Sequence, residues 1–409
     1  MAETKAADAV EVVHRVPLQL SGADTALGRQ AARRAEAGGM LDGPQLLALA
    51  SVLSCAGRLS KQILPLLDRV RREAGPDSPA FAALRPLESR VRGVDACPEL
   101  QGRVRGCVDD DGSVRSSASE AVKAARQRVA TLAGRLDALL KGGEGGAGKA
   151  TVVERKGRMC LAVPGGAEAV AGRKGLVLGS SVAGGVTFFE PQAAVAGNNA
   201  LQEARGALAD AEEGVLWALS GEVMGRLGEV QGCLGFVAWL DCTLAKARFG
   251  QWLSCCVPEI GEWGGSGSSR ARKGGRRGEG ARAHVSVQRL RHPLLAARHR
   301  RWAEDASAGE RRPGPSQRLL SRRRAQGTAS PGADEGGPGA PGGDPAEAAP
   351  PEPVPLDVVV AAPVRAVVIT GPNTGGKTAS LKALGLAALM SRAGVPIPAA
   401  EGAVLPWFR

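Results

Sequence analysis

The chain has no tyrosine, and aromatic residues make up only 3% of its 409 positions. No apolar run reaches the roughly 18 residues needed to cross a bilayer, which excludes a membrane-spanning helix. The first twenty residues carry acidic side chains and no apolar block, so they do not form a secretory signal. Organelle transit peptides avoid acidic residues, and that reading fails too. The eight cysteines include no C-x-x-C pair and no paired His/Cys spacing. Cys255 and Cys256 are adjacent, which suits neither a metal site nor an ordinary disulfide. Buried or idle thiols in a reducing compartment are expected. The expectation is a soluble, intracellular protein; nucleus, plastid and cytoplasm stay open.

What is present is apolar residue in quantity, at 44% of the chain, enough to bury a real core. The 57 glycines and 26 prolines together are about one residue in five, where roughly one in eight is usual. Long flexible segments between folded parts are expected. The net charge of +12 is unevenly placed. Between Arg270 and Arg324 there are 17 basic and 4 acidic residues, so the rest of the chain is close to neutral. Such a Gly/Ser/Arg-rich stretch is open to non-specific contact with phosphate backbones, but a solvated linker is the favoured reading.

Read for organisation, residues 1–112 form a helical core segment. Within it, Pro44–Arg72 shows apolar residues at helical intervals, and Pro65 is expected to kink or break the run. Residues 113–149 hold a first lever helix. Its stripe of Val122, Ala125, Val129, Leu132, Leu136 and Leu139 suits packing on one or two long helices. Ser117 or Ser119 caps its start, and Gly142 ends it. Residues 150–196 are a β-rich clamp or connector, with a hairpin around Lys156-Gly157 and two further strands. Residues 197–256 hold a second lever helix starting at Asn198 and a return to the core, with breaks expected at Gly232 and Gly235. A basic Gly/Ser-rich linker follows at 257–283, then the start of a nucleotide-binding domain at 284–302. Residues 303–353 are a disordered insertion; from Gly327 to Pro353, 20 of 27 residues are Gly, Pro or Ala. Residues 354–409 form a strand, loop and helix. The fold class is mainly α with a small β clamp, plus an incomplete α/β nucleotide-binding part.

The stretch "VVITGPNTGGKTASLKALG" carries the chemistry. Gly371, Gly376, Lys377 and Thr378 satisfy G-x-x-x-x-G-K-[ST]. Glycines let the backbone wrap phosphate oxygens without side-chain clash, and successive N–H groups then form an anion nest. The following helix adds its positive end. Lys377 would reach the β- and γ-phosphates, and Thr378 would ligate Mg²⁺. A buried-type strand at Val364–Thr370 is expected before the loop. A helix with Leu381, Leu384, Ala388 and Met390 is expected after it, ended by Gly394 and Pro396.

The extended loop "TGPNTGGKT" resembles the MutS family of DNA-repair ATPases, whose loop reads TGPN-x-GGK-[ST]. The flank "LKALGLAALMSRAGVPIPAAEG" is similar to the second MutS subfamily, the recombination-suppressing and ribosome-rescue branch. "SSASEAVKAARQRV", "GGVTFFEPQAAVAGNNAL", "LDCTLAKARF" and "RHPLL" agree in order and distance, and "ADTALGRQAARRAEAGGMLDGPQLLALASVL" agrees more weakly. The resemblance implies ATP and Mg²⁺ held by Gly371, Pro372, Asn373, Thr374, Gly375, Gly376, Lys377 and Thr378, with Asn373 at the γ-phosphate. It implies a homodimer of helical levers that grip branched or mismatched DNA, or alternatively a ribosome or its RNA. His292 matches a family position just before the nucleotide domain, with packing, capping or nucleotide contact all open.

The departures temper this. Only 32 residues follow Lys377, and the family's second acidic strand and nuclease-like domain are not among them. The expectation is a chain truncated after the loop, with no catalytic residue assigned and no ATPase activity of its own; a non-hydrolysing interaction module is the third reading. Gly179 and Val186 replace an acidic residue and a threonine. Phe188-Phe189-Glu190 spells the F-x-E wedge of mismatch-reading relatives, but between a strand and a helix it reads as core packing.

Overall fold

The computed structural model describes residues 24–142, 150–165, 167–181, 185–261, 283–307, 350–361, 364, 366–371 and 376–406. The N-terminal stretch, most of the basic linker and most of the long insertion lie outside them. The elements in order are α1 (Thr25–Glu36), α2 (Gly43–Ala74), α3 (Pro79–Arg92), α4 (Pro98–Cys107), α5 (Glu120–Gly142), β1 (Thr151–Arg155) and β2 (Arg158–Pro164). Then come β3 (Gly175–Ser181), β4 (Val186–Pro191), α6 (Gln192–Gly225), α7 (Leu227–Trp252), β5 (Glu259–Gly261), β6 (Ala283–Leu290), α8 (Pro293–Ser307), β7 (Leu356–Ala361), α9 (Lys377–Arg392) and β8 (Val404–Pro406). The architecture is mainly helical with two small sheets. None of the described helices is long and apolar enough to cross a membrane.

The chain divides into two compact units. The first takes in the described residues up to Leu66 together with Ser89–Trp239. The second takes in Leu67–Glu88 and the described residues from Leu240 onward. Helices α2 and α7 begin in the first unit and end in the second.

In the first unit, α5 packs along α6 and both meet an antiparallel sheet of order β1-β2-β4-β3. The β1–β2 turn is the expected hairpin. Lys156 (φ 53°) and Gly157 (φ 78°) both occupy the left-handed region that a two-residue turn of this hand requires. Leu136, Leu140, Leu161, Val163, Val170, Phe189, Ala194 and Leu201 fill the space between helices and sheet. Leu140 takes the inner place expected of Leu139, which is 42% exposed. Of the two candidate caps it is Ser119 whose Oγ accepts the Val122 N–H, at 3.1 Å. Helix α2 buries Leu46, Leu49, Leu53, Leu59 and Ile63 along one side.

Several boundaries differ from expectation, each for a physical reason. Helix α2 runs through Pro65. Proline there frees the carbonyl of Lys61, and both residues lie on the exposed side, where water satisfies it. The second lever helix starts at Gln192, not Asn198, because Pro191 at the N-cap position ends β4 in extended geometry and opens the helix directly. Gly232 and Gly235 do not break α7. They face outward, and the buried Val230, Cys233, Leu234, Phe236 and Val237 around them offset the roughly 1 kcal/mol each that glycine costs in a helix.

In the second unit, the sheet order is β5-β8-β6-β7, with β5 parallel to β8 and the other pairs antiparallel. Val285, Val287 and Leu290 of β6 pack with Ala383, Ala387, Ile397 and Leu405. The strand expected at Val364–Thr370 does not form among its described residues. The Val364 N–H bonds back to the Ala361 carbonyl at 3.0 Å and not across to a neighbouring strand. Val367, Val368 and Ile369 are then exposed.

Candidate functional site

The described residues of the loop are Gly371, Gly376, Lys377 and Thr378. Gly371 (φ 148°) and Gly376 (φ 74°) hold left-handed backbone that a side chain would strain. Pro372, Asn373, Thr374 and Gly375 lie outside the described residues. Gly376 is the N-cap of α9, and no side chain caps that end. Lys377 opens the helix and donates its ammonium to the Gly371 carbonyl. Thr378 is exposed in the first turn of α9. Ser380 donates both N–H (2.9 Å) and Oγ–H (3.1 Å) to the Gly376 carbonyl, which fixes the first turn. Uncapped first-turn amides, an ammonium and a hydroxyl form a donor set suited to a phosphate.

Helix α9 seats this site on the second unit by Ala383, Ala387 and Ser391. The leucine side proposed from the sequence is less used: Leu381 is 60% exposed, while Leu384 and Met390 pack partly against the core. Its far end is tied to α7 and to the segment after α7. The Lys246 ammonium donates to the Ala393 carbonyl at 2.7 Å, and Cys256 and Ile397 exchange backbone hydrogen bonds at 2.8 and 2.9 Å. His292 sits between β6 and α8 with its backbone carbonyl accepting from Ala296 at 2.9 Å. Its Nδ1 is buried with no protein partner.

A second polar constellation joins the sheet of the first unit to α6. Glu190, whose side chain is fully buried, accepts two hydrogen bonds from Arg158, both 2.7 Å, and one from Asn198 at 2.8 Å. Asn198 also bonds both backbone groups of Met159, at 2.8 and 2.9 Å, and Asn199 accepts from Arg158 at 3.0 Å. Burial by itself drives the Glu190 carboxyl upward in pKa, but the Arg158 and Asn198 bonds outweigh it and hold the group below the usual carboxylate range. Phe189 beside it is buried, so core packing holds for that part of the F-x-E triplet. Sequence reading missed the role of Arg158. The available signal was a glutamate closing an apolar strand, which needs a cationic partner if buried.

No family model matches the chain. Curated relatives do. Over 379 residues it is 28% identical to the Endonuclease MutS2 of Synechocystis sp., which covers 92% of this chain and 36% of the relative. Over 384 residues it is 28% identical to the Endonuclease MutS2 of Exiguobacterium sibiricum, covering 93% and 38%. The protein of that name from Geobacillus sp. is 27% identical over 387 residues, again covering 93% and 38%. The chain is similar to these MutS2 proteins over more than nine-tenths of its own length. It spans somewhat over a third of the length of the curated MutS2 proteins that it matches. The matched region takes in both the α5–α6 levers with their sheet and the loop before α9, since more than nine-tenths of the chain is covered.

Proposed function

We propose that this MutS2-type chain binds ATP with Mg²⁺ at the Gly371–Thr378 loop and uses its paired long helices to engage branched or mismatched DNA. The observation that carries the reading is a TGPNTGGKT loop at the uncapped start of α9, in a chain similar over nine-tenths of its length to relatives named as MutS2 endonucleases. Lys377 and the first-turn amides of α9 would hold the phosphates, and Thr378 would ligate the metal. When bound, the nucleotide would supply dense negative charge, and Lys377 would exchange the Gly371 carbonyl for a phosphate oxygen. The Lys246–Ala393 bond is the tie by which the end of the site's helix meets α7.

The test is equilibrium binding of a fluorescent ATP analogue to the full chain, with and without Mg²⁺, in the wild type and in Lys377→Ala. A charge-assisted bond of about 1.5–3 kcal/mol predicts affinity lower by roughly ten- to a hundredfold in the variant. Equal affinity in both overturns the nucleotide site. Anisotropy with labelled four-way and linear DNA then tests the partner. Equal binding to the two, unaffected by nucleotide, overturns the DNA reading.

A further inference from the structure

Two thiols of the first unit converge on one oxygen. Cys97 is the N-cap residue of α4, and Cys233 lies on α7. Their exposures are 0% and 1%. Both sulfurs contact the Asp95 carbonyl oxygen, Cys97 at 3.7 Å and Cys233 at 3.1 Å. Cys97 holds left-handed backbone (φ 44°), unusual for a residue with a side chain, and its N–H is fixed by the Asp95 carboxylate at 2.9 Å. The Arg226 guanidinium lies near the Cys97 sulfur, and its charge favours the thiolate. It also pairs with Glu99 at 3.1 Å. Arg226 lines an open cavity of about 490 Å³, bordered also by Leu100, Arg103 and Gly225. Among the described residues no group of three His, Cys, Asp or Glu is placed to hold a metal. The chemistry within reach of this pair is thiol oxidation.

We propose that Cys97 and Cys233 form a redox pair, which a hydroperoxide entering by the Arg226 cavity converts into a disulfide joining the start of α4 to α7. Sulfur of Cys97 attacks one peroxide oxygen, the O–O bond breaks, and the leaving oxygen takes up the thiol proton. Cys97 becomes a sulfenic acid, and the peroxide is reduced to water or an alcohol. Sulfur of Cys233 then attacks the sulfenic sulfur. An S–S bond forms, the S–O bond breaks, and the hydroxyl leaves with the Cys233 proton as water. Two thiols lose two electrons, and one peroxide gains them. Arg226 sets the order, because its charge favours the Cys97 thiolate and receives the leaving oxygen anion. Burial pushes both thiols up, Cys233 to about 12 with Cys97 and Asp95 adding to it. The pair is therefore quiet toward brief exposure and responds to a sustained supply of oxidant.

The experiment exposes the full native chain to hydrogen peroxide, blocks remaining thiols by alkylation under denaturing conditions, and maps peptides by mass spectrometry. The expected product is a single internal cross-link, Cys97 to Cys233, with loss of two hydrogens, faster migration on a non-reducing gel and full reversal by a thiol reductant. Arg226→Gln, which keeps both cysteines, should slow its formation about tenfold. Overoxidation of Cys97 without a cross-link overturns the proposal. So do a link through the exposed Cys242, or complete alkylation of both cysteines after prolonged exposure. An unchanged rate in Arg226→Gln overturns the assigned order.

Discussion

Replacing Arg158 by methionine should loosen the sheet of the first unit and reverse the sign of its response to acid. Glu190 has no exposed side-chain surface and receives three hydrogen bonds, two of them from Arg158. Methionine keeps most of the stem but donates nothing. Removing one partner of a buried ion pair costs about 3–5 kcal/mol. Arg158 is itself 24% exposed, so water reaches part of the pair and the low end, about 3 kcal/mol, applies. In the wild type the depressed pKa makes Glu190 stabilising above the unfolded glutamate value of about 4.3. That contribution is flat from pH 5 to 8 and is lost as pH falls through the folded pKa. Without Arg158, burial acts with only Asn198 to oppose it, and the folded pKa rises above the unfolded one. The variant should then regain protection as pH drops from 7 toward 5, where the wild type does not change. Amide hydrogen exchange of peptides spanning residues 158–164 and 186–191 in the full chain measures this. After correction for intrinsic rates, exchange should be roughly a hundredfold faster at pH 7, since each 1.36 kcal/mol is one decade. Less than a threefold change at pH 7 refutes the reasoning. So does full additivity of Arg158→Met with Glu190→Gln, because partners in contact must couple.

Other substitutions probe separate links. Gly43→Ala should destabilise the first unit by about 1–3 kcal/mol, read as a lower midpoint for melting of α2 by hydrogen exchange, because the new methyl would overlap the Gly112 carbonyl. Phe189→Ala should cost about 3–5 kcal/mol in the same assay applied to β2 and β4, since it empties the centre of the cluster that includes Leu136, Leu161 and Leu201. Lys246→Met should leave the fold intact and speed exchange in the last turn of α9 about two- to fivefold, for loss of about 0.5–1 kcal/mol at a helix C-terminus.

Local features of the chain were legible where consecutive residues decide them. The hairpin needed only Lys156-Gly157 between two short strand-like runs. The start of α2 is a reciprocal cap, with Asp42 and Gln45 exchanging side chain to backbone bonds at 3.2 and 2.8 Å, and the D-x-x-Q spacing shows it. Errors arose where packing competes with propensity. Pro65, Gly232 and Gly235 are breakers by intrinsic preference, but long apolar faces on either side of them kept α2 and α7 continuous. Val364–Thr370 failed in the opposite direction. Its apolar run reads as a buried strand, yet a strand exists only through its ladder, and the described residues of this run pair with no other strand.

The loop and the Glu190 network show the same division at the level of sites. Gly371, Gly376 and Lys377 lie within seven residues, so their turn is written in one stretch of chain. Arg158, Glu190 and Asn198 come from two strands and a helix, and only the folded sheet brings them together. This difference also decides which substitution isolates the proposed phosphate contact. Changing Gly371 or Gly376 strains the backbone of the turn itself, so a loss of binding would have two causes. Lys377 contributes through its ammonium, which is folded onto the neutral Gly371 carbonyl. A phosphate oxygen adds a charge–charge attraction that the neutral carbonyl lacks. The exchange is therefore downhill for an anion, and Lys377→Ala removes it while leaving both glycine conformations in place.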